Sequence, residues 1–260
     1  MRDLEFVHLE TRENGVRILS LDRPPVNALG RELVSDIDRA CARLEGDAQA
    51  RCLVVRSAGR HFSGGADLKE RQGMRREEVL EFVPFLGRTF RRLENLPFPT
   101  VAAVRGAAVG GGCELALACD LRILAEDATV GLRETALAIL PGAGGTQRLP
   151  RLIGPARAKR WIFTARAHSA QEALADGVAD RVVTAEALEH EAVRLAETIA
   201  AQGPVAIRLA KKAIDQGRHL PLDEALRLEW ECYLGTLDTE DRTEGLRAFA
   251  EKRAPRYRGC

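Results

Sequence analysis

The sequence predicts an α/β fold in which short, partly parallel strands alternate with longer helices. Three observations carry that expectation. Short apolar runs at Val16–Leu21, Cys52–Val55 and Thr100–Val104 are separated by stretches of helical periodicity. Glycine-rich segments at 59–66, 106–112 and 142–145 punctuate the same part of the chain. Beyond about residue 195 the strand signal is lost and only helical patterns remain. The chain is therefore read as a body, residues 1–199, and a helical C-terminal segment, residues 200–260.

The elements follow in order. Val16-Arg-Ile-Leu-Ser-Leu21 reads as a strand, with Pro24 and Pro25 ending the run. Leu29, Leu33, Ile37, Cys41 and Leu44 recur at near-helical spacing and predict an amphipathic helix over 30–45. Cys52-Leu-Val-Val55 is continuously apolar, as a strand covered on both faces would be. Val79, Phe82, Val83, Leu86, Phe90 and Leu93 mark a long helix stopped by Pro97 and Pro99. Thr100–Val104 and Leu121–Leu124 are further strands. In the C-terminal segment Pro204 and the cluster Asp238–Asp241 sit at helix starts. Leu226, Tyr233, Leu246 and Phe249 are too many apolar positions for a lone tail. They are expected to dock on the body or on a neighbouring subunit.

Composition narrows the function. A chain of 260 residues can bury roughly 70–75% of its unfolded surface, enough for a core without disulfides. Thirty-nine Lys+Arg against 38 Asp+Glu gives a charge of +1, which argues against nucleic acid or an anionic membrane as a partner of the overall field. Six scattered cysteines form no framework and no C-x-x-C pair, so a reducing cytoplasm is the expected setting. Met1–Glu10 carries charge throughout and shows no apolar signal-peptide core. Thr100–Leu124 is the most apolar stretch, but Arg105, Glu114, Asp120 and Arg122 bar it from a bilayer. The five histidines lie too far apart for a local metal motif, and no metal site is expected.

The chemistry sits in the glycine segments. They read His61-Phe-Ser-Gly-Gly-Ala-Asp-Leu-Lys-Glu70, Gly106-Ala-Ala-Val-Gly-Gly-Gly-Cys-Glu-Leu115 and, after Glu134, Pro141-Gly-Ala-Gly-Gly-Thr-Gln-Arg148. No Lys-Ser/Thr pair follows the glycines as in a Walker loop, and the dinucleotide G-x-G-x-x-G spacing is missing. Residues 106–115 instead place free backbone N–H groups at the start of a helix over 113–119, with Glu114 in its first turn. Free amides at a positive helix end suit a developing anion. A buried carboxylate beside them would have a raised pKa and could move protons. Glu134 lies twenty residues further on, ahead of an apolar run and the third glycine turn.

With these blocks the chain resembles the crotonase (enoyl-CoA hydratase/isomerase) family, from Val16 to Phe249-Ala-Glu-Lys-Arg253. The resemblance implies a crotonase fold, a spiral of ββα repeats followed by C-terminal helices. It implies that the N–H groups of Ala66 and Gly111 hold a thioester oxygen. Glu114 and Glu134 would flank a water that Gly142 helps to place. The implied reaction is reversible syn hydration of an α,β-unsaturated acyl-CoA through an enolate, Glu134 donating to Cα and Glu114 sharing in water activation. Members of the family that do other chemistry often lack one or both glutamates; both are present here, which disfavours a pure isomerase. The substrate arrives as a coenzyme A thioester, and no other cofactor is implied. The resemblance also implies a homo-hexamer, a dimer of trimers, in which Phe249 and Lys252 reach the CoA of a neighbouring subunit.

Within the family the chain is most similar to the 3-methylglutaconyl-CoA hydratases of leucine breakdown. That likeness lies in Gly65–Arg71, Gly144–Arg151, Cys232-Tyr233 and Asp241–Leu246. Such a substrate carries a distal carboxylate, which needs a cation or good donors. Arg71, Lys69 and Tyr233 are the candidates, with Lys69 alternatively meeting a CoA phosphate. A general short-chain hydratase acting on crotonyl-CoA is the alternative. RNA binding, known for one animal relative through a lysine-rich helix, is disfavoured. The matching helix, residues 31–47, holds Arg31, Arg39 and Arg43 against Glu32, Asp36, Asp38, Glu45 and Asp47.

Overall fold

The computed structural model describes residues 4–260. The chain opens with an antiparallel pair, β1 (Val7–Thr11) and β2 (Val16–Leu21). The first strand was not apparent in the sequence, because its alternation of buried and exposed residues is short and interrupted by charge. Helix α1 (Arg31–Glu45) follows and buries the stripe Leu33, Ile37, Cys41 and Leu44 that the spacing predicts. Next come β3 (Cys52–Ser57), the short α2 (Leu68–Gly73) and the long α3 (Arg76–Glu94). Asp67 opens α2 by accepting from the N–H groups of Lys69 and Glu70.

The next two turns of chain have the same form. Strand β4 (Thr100–Val104) is followed by the short strand β5 (Ala107–Val109) and helix α4 (Gly111–Leu117). Strand β6 (Leu121–Ala125) is followed by β7 (Thr129–Gly131) and a 3-10 turn, Glu134–Leu137. Each turn adds one strand to a large sheet and one to a small sheet before it turns helical. This is the ββα spiral the resemblance implies. The chain continues through α5 (Gly145–Ile153), α6 (Pro155–Thr164), β8 (His168–Ser169), α7 (Ala170–Asp176), β9 (Arg181–Val183) and α8 (Leu188–Ala200).

The large sheet has the order β1-β2-β3-β4-β6-β9 and is parallel from β2 onward; the small sheet is β5-β7-β8. Side chains alternate across the large sheet with the period of two expected of strands. Val16, Ile18, Cys52, Val54, Val101 and Ala103 pack against Leu188, Ala192 and Ala196 of α8. Leu19, Leu21, Leu53, Val55, Ala102 and Val104 face the core shared with α1 and α3. Both faces are covered, which is why these strands read as unbroken apolar runs. Because the strands are parallel, the segments following β3 and β4 leave the sheet at one end. There they lie side by side, joined by a bridge between Ser63 and Ala108.

The C-terminal segment forms α9 (Pro204–Gly217), α10 (Leu222–Leu234) and α11 (Glu240–Ala250), with Thr239 capping the last. It is tied to the body mainly by polar contacts. Arg51 donates to the carbonyls of Ala200 (3.0 Å) and Tyr257 (2.8 Å). Arg208 donates to those of Ala48 and Ala50 (both 3.1 Å), and Lys211 pairs with Asp120. The apolar positions expected to dock do not do so within one chain. Leu226, Tyr233 and Leu246 are at least half exposed, and Phe249 is 86% exposed. No described helix is long and apolar enough to cross a membrane.

Candidate active site

Two backbone segments make the floor of the site. Gly65 has φ +85°, and an added Cβ would stand 2.5 Å from the Val109 carbonyl, so only glycine lets the two segments approach this closely. The approach is fixed from both sides. Leu29 N–H donates to the Gly65 carbonyl at 2.8 Å, and the N–H groups of Ser63 and Val109 donate to the Ala107 and Ser63 carbonyls. Asn27, buried and with φ +49°, donates through Nδ2 to Ser57 Oγ and to the carbonyls of His61 and Phe62. The N–H groups of Ala66 and Gly111 are thereby neighbours, as an added Cβ on Gly111 would lie 4.0 Å from Ala66 N. Among the described residues neither N–H is taken by a carbonyl. Gly111 is the first residue of α4, where unpaired amides and the helix dipole add positive potential.

Above this floor stand two carboxylates in different surroundings. Glu114, 2% exposed in the first turn of α4, accepts at Oε1 from the N–H groups of Ala143 and Gly145, each at 2.8 Å. Burial holds its carboxyl above the ordinary range and outweighs the two amides and the guanidinium groups of Arg148 and Arg71, which pull it down. Glu134 has no guanidinium beside it, and only the backbone at Glu134 and Arg133 pulls its carboxyl down. Its pKa is pushed up to about 7, first by burial and then by the negative charge of Glu114. Its Oε2 is buried with no hydrogen-bond partner. The pairing of β5 with β7 sets its place, since Val109 lies opposite Gly131 and Gly110 N–H donates to the Gly131 carbonyl. Gly110, at φ +56°, must lack a side chain here: a Cβ would lie 3.3 Å from Glu134 Oε1.

The other predicted residues divide into two groups. Gly142 stands in the turn that supplies the amides to Glu114, against Val83 of α3. Arg71 turns its guanidinium over the Phe82 ring at 5.1 Å and bears electrostatically on Glu114. Its Nε is buried without a partner, and no carboxylate pairs with it among the described residues. Lys69, two residues earlier on α2, is exposed. Tyr233 stacks on Trp230 of α10, and Phe249 and Lys252 are exposed at the end of the C-terminal helices. None of these three shares a hydrogen bond, ion pair or ring contact with the glutamate site within one chain. Tyr233 is thus not brought beside Arg71 and Lys69 in the single chain, because α10 packs on α9 instead. Cys113 fills the core of α4, and burial raises its thiol far above the ordinary range.

Sequence reasoning missed the amides of Ala143 and Gly145 as partners of Glu114 and gave Asn27 no part. The signal for Asn27 was present, a small polar residue ahead of a helix. Its left-handed conformation and buried bonds depend on segments 30 or more residues away.

Two unpaired amides beside two carboxyl groups in different surroundings, one braced by amides and one with an unpartnered oxygen, define a site for proton transfer at a carbon next to a polarised carbonyl. The chain belongs to the enoyl-CoA hydratase/isomerase family, whose description matches residues 11–259. It is therefore an enzyme, and its named relatives are hydro-lyases. It is 46% identical over 263 residues to mouse mitochondrial methylglutaconyl-CoA hydratase, covering 99% of this chain and 84% of that protein. It is 44% identical over 264 residues to the mitochondrial enoyl-CoA hydratase domain-containing protein 2 of Bos taurus, covering 99% and 89%. Among solved structures, the enoyl-CoA hydratase of Bacillus anthracis superposes with a TM-score of 0.96 at 46% identity, over 98% of this chain and all of that one.

Proposed function

We propose that this enzyme adds water reversibly across the double bond of 3-methylglutaconyl-CoA, giving 3-hydroxy-3-methylglutaryl-CoA. The observation that carries the hydration step is the contrast between the two glutamates. Glu134, its pKa pushed up to about 7, keeps a proton in a large share of molecules at neutral pH, which it can give to Cα. Glu114, braced by two amides, is suited to act as the carboxylate that takes a proton from water. The hydroxide adds to Cβ on the same face as the new Cα–H bond, while negative charge gathers on the thioester oxygen. The Ala66 and Gly111 N–H groups receive that charge, and each such donor is worth about 3–4 kcal/mol in comparable sites. Afterwards Glu114 holds the proton and Glu134 has lost one, so a proton passes between them through solvent before the next turnover.

Arg71 supports the choice of acyl group. It is a half-buried cation, acted on by Glu70 and Glu114 but in no ion pair among the described residues, which suits a substrate carboxylate beyond the double bond. Likeness to the mouse methylglutaconyl-CoA hydratase supports the same reading. The assembly proposed is the dimer of trimers implied by the family, with Phe249 and Lys252 completing a neighbour's CoA site. Five buried free thiols favour a reducing, cytoplasmic setting.

The test compares kcat/KM for 3-methylglutaconyl-CoA and crotonyl-CoA, following the enoyl-thioester absorbance, in wild type and Arg71→Leu. A preference for the carboxylated substrate that collapses in the variant supports the proposal. A preference for crotonyl-CoA, unmoved by Arg71→Leu, means a general short-chain hydratase. Hydration of neither would remove the hydratase reading.

A further inference from the structure

The turn that feeds two N–H groups to Glu114 has a support of its own. Arg148, on α5, folds its side chain back so that Nη1 donates to the Ala143 carbonyl at 2.8 Å. The guanidinium lies against Gly144, at φ +113°, where an added Cβ would run into it. Nη2 donates to Glu94 at the end of α3, also at 2.8 Å, and Arg218, just after α9, approaches the other Glu94 oxygen at 3.4 Å. The Arg148 side chain is 13% exposed, and its Nε is buried without a partner. A buried cation has thus been placed behind the turn and clamped by one carboxylate. Other contacts also hold the turn, as the N–H groups of Gln147 and Arg148 close on the Gly144 carbonyl.

We propose that Arg148 is a positioning residue of this enzyme, holding the 143–145 turn and, through its amides and its own charge, the Glu114 carboxyl. The geometry separates its two contributions. Its bond to Ala143 fixes the chain whose amides meet Glu114 Oε1. Its charge and that of Arg71 both bear on the Glu114 carboxyl, one cation from α5 and one from α2. The other groups facing Glu114 are the acid Glu134 and the neutral thiol of Cys113. Glu94 balances the charge of Arg148 and is held low by it, although burial alone would raise it. The charge around Glu114 is therefore set partly by a pair of residues that make no hydrogen bond or ion pair with it.

The inference rests on Glu114 being the carboxylate that activates water. The experiment measures kcat, KM and the pH profile of kcat/KM for Arg148→Met, Arg148→Lys, Glu94→Gln and Glu114→Gln, using whichever thioester the wild type hydrates faster. Arg148→Met is expected to lower kcat about 10- to 100-fold, with KM changed less than about threefold. Its ascending pH limb should move up by about half a unit or more, because a carboxylate that loses a cation binds its proton more tightly. Arg148→Lys keeps charge and one donor, so it recovers part of kcat and moves the limb less. Glu94→Gln removes the counter-charge but keeps an acceptor, and its limb should move down.

Wild-type kcat and an unmoved limb in Arg148→Met, with only a lower Tm, would overturn the proposal and leave Arg148 as a brace for the fold. If Arg148→Met does not fold, the other two variants decide. Unmoved limbs in both would overturn it, and opposite shifts would support it. An active Glu114→Gln would instead show that the reading of Glu114 is at fault.

Discussion

Glu134 should cost the folded protein stability, and the cost should depend on pH in a fixed direction. Its carboxyl has a pKa of about 7 in the fold against an ordinary 4.5. Below pH 4.5 both states hold the proton and the group contributes nothing. Between 4.5 and 7 the unfolded chain ionises while the folded one keeps its proton, so stability falls as pH rises. Above 7 the whole penalty is present. The difference of about 2.5 units corresponds to about 3 kcal/mol at most. Glu134 is partly reached by solvent, so about 1–2 kcal/mol is the working figure. Glu134→Gln keeps the shape of the protonated acid and cannot ionise. At pH 8 it should therefore be more stable than the wild type, with Tm higher by about 3–6 °C. At pH 4.5 the two should coincide, and hydration should fall at least about a hundredfold at every pH. Thermal melts across pH 4.5–8.5, with turnover measured on the same samples, provide the check. A Tm difference that does not grow with pH would refute the burial and repulsion assigned to Glu134. Near-wild-type turnover would refute its role as acid.

Three further outcomes follow from the same geometry. In the hydration direction kcat/KM should fall as pH rises past about 7, because Glu134 must be protonated, whereas the Gln variant should show residual activity without that limb. Gly110→Ala should cost about 1–2 kcal/mol for a side chain at φ +56° and should displace Glu134; a calorimetric scan and a kcat assay would show both losses together, and a loss of stability without loss of kcat would contradict the contact. Asn27→Ala removes bonds to Ser57, His61 and Phe62 and should destabilise by about 1–3 kcal/mol, with a raised KM as Ala66 is released. Denaturant unfolding and a substrate titration measure that pair of effects.

Much of this arrangement was legible in the sequence because the large sheet is parallel and covered on both faces. That geometry forces the continuous apolar runs at Cys52–Val55 and Thr100–Val104 and the glycine segments that follow them. The small strands β5, β7 and β8 were not legible. They are two or three residues long and owe their existence to pairing with one another. The likeness of Glu114 and Glu134 to a known pattern located the acids but carried no information on what holds them. The amides of Ala143 and Gly145 serve Glu114 only because α5 begins where it does. Arg148 serves the turn only because Glu94, 54 residues earlier, is there to hold it.

The two acids are chemically identical, and their separate roles come from what the fold places around each. Glu114 sits where a helix begins, so amide donors and two guanidinium groups favour its anion against the burial that raises its pKa. Glu134 sits on a 3-10 turn, largely buried, acted on by the charge of Glu114 and with one oxygen unpartnered, all of which favours the proton. Exchanging the two residue types would change little, but exchanging their surroundings would reverse acid and base. For that reason the spacing of two glutamates is a weaker guide to chemistry than the spacing between each glutamate and the backbone that meets it. Substitutions behind the site, at Arg148 or Gly110, should then alter the reaction as surely as substitutions of the carboxylates themselves.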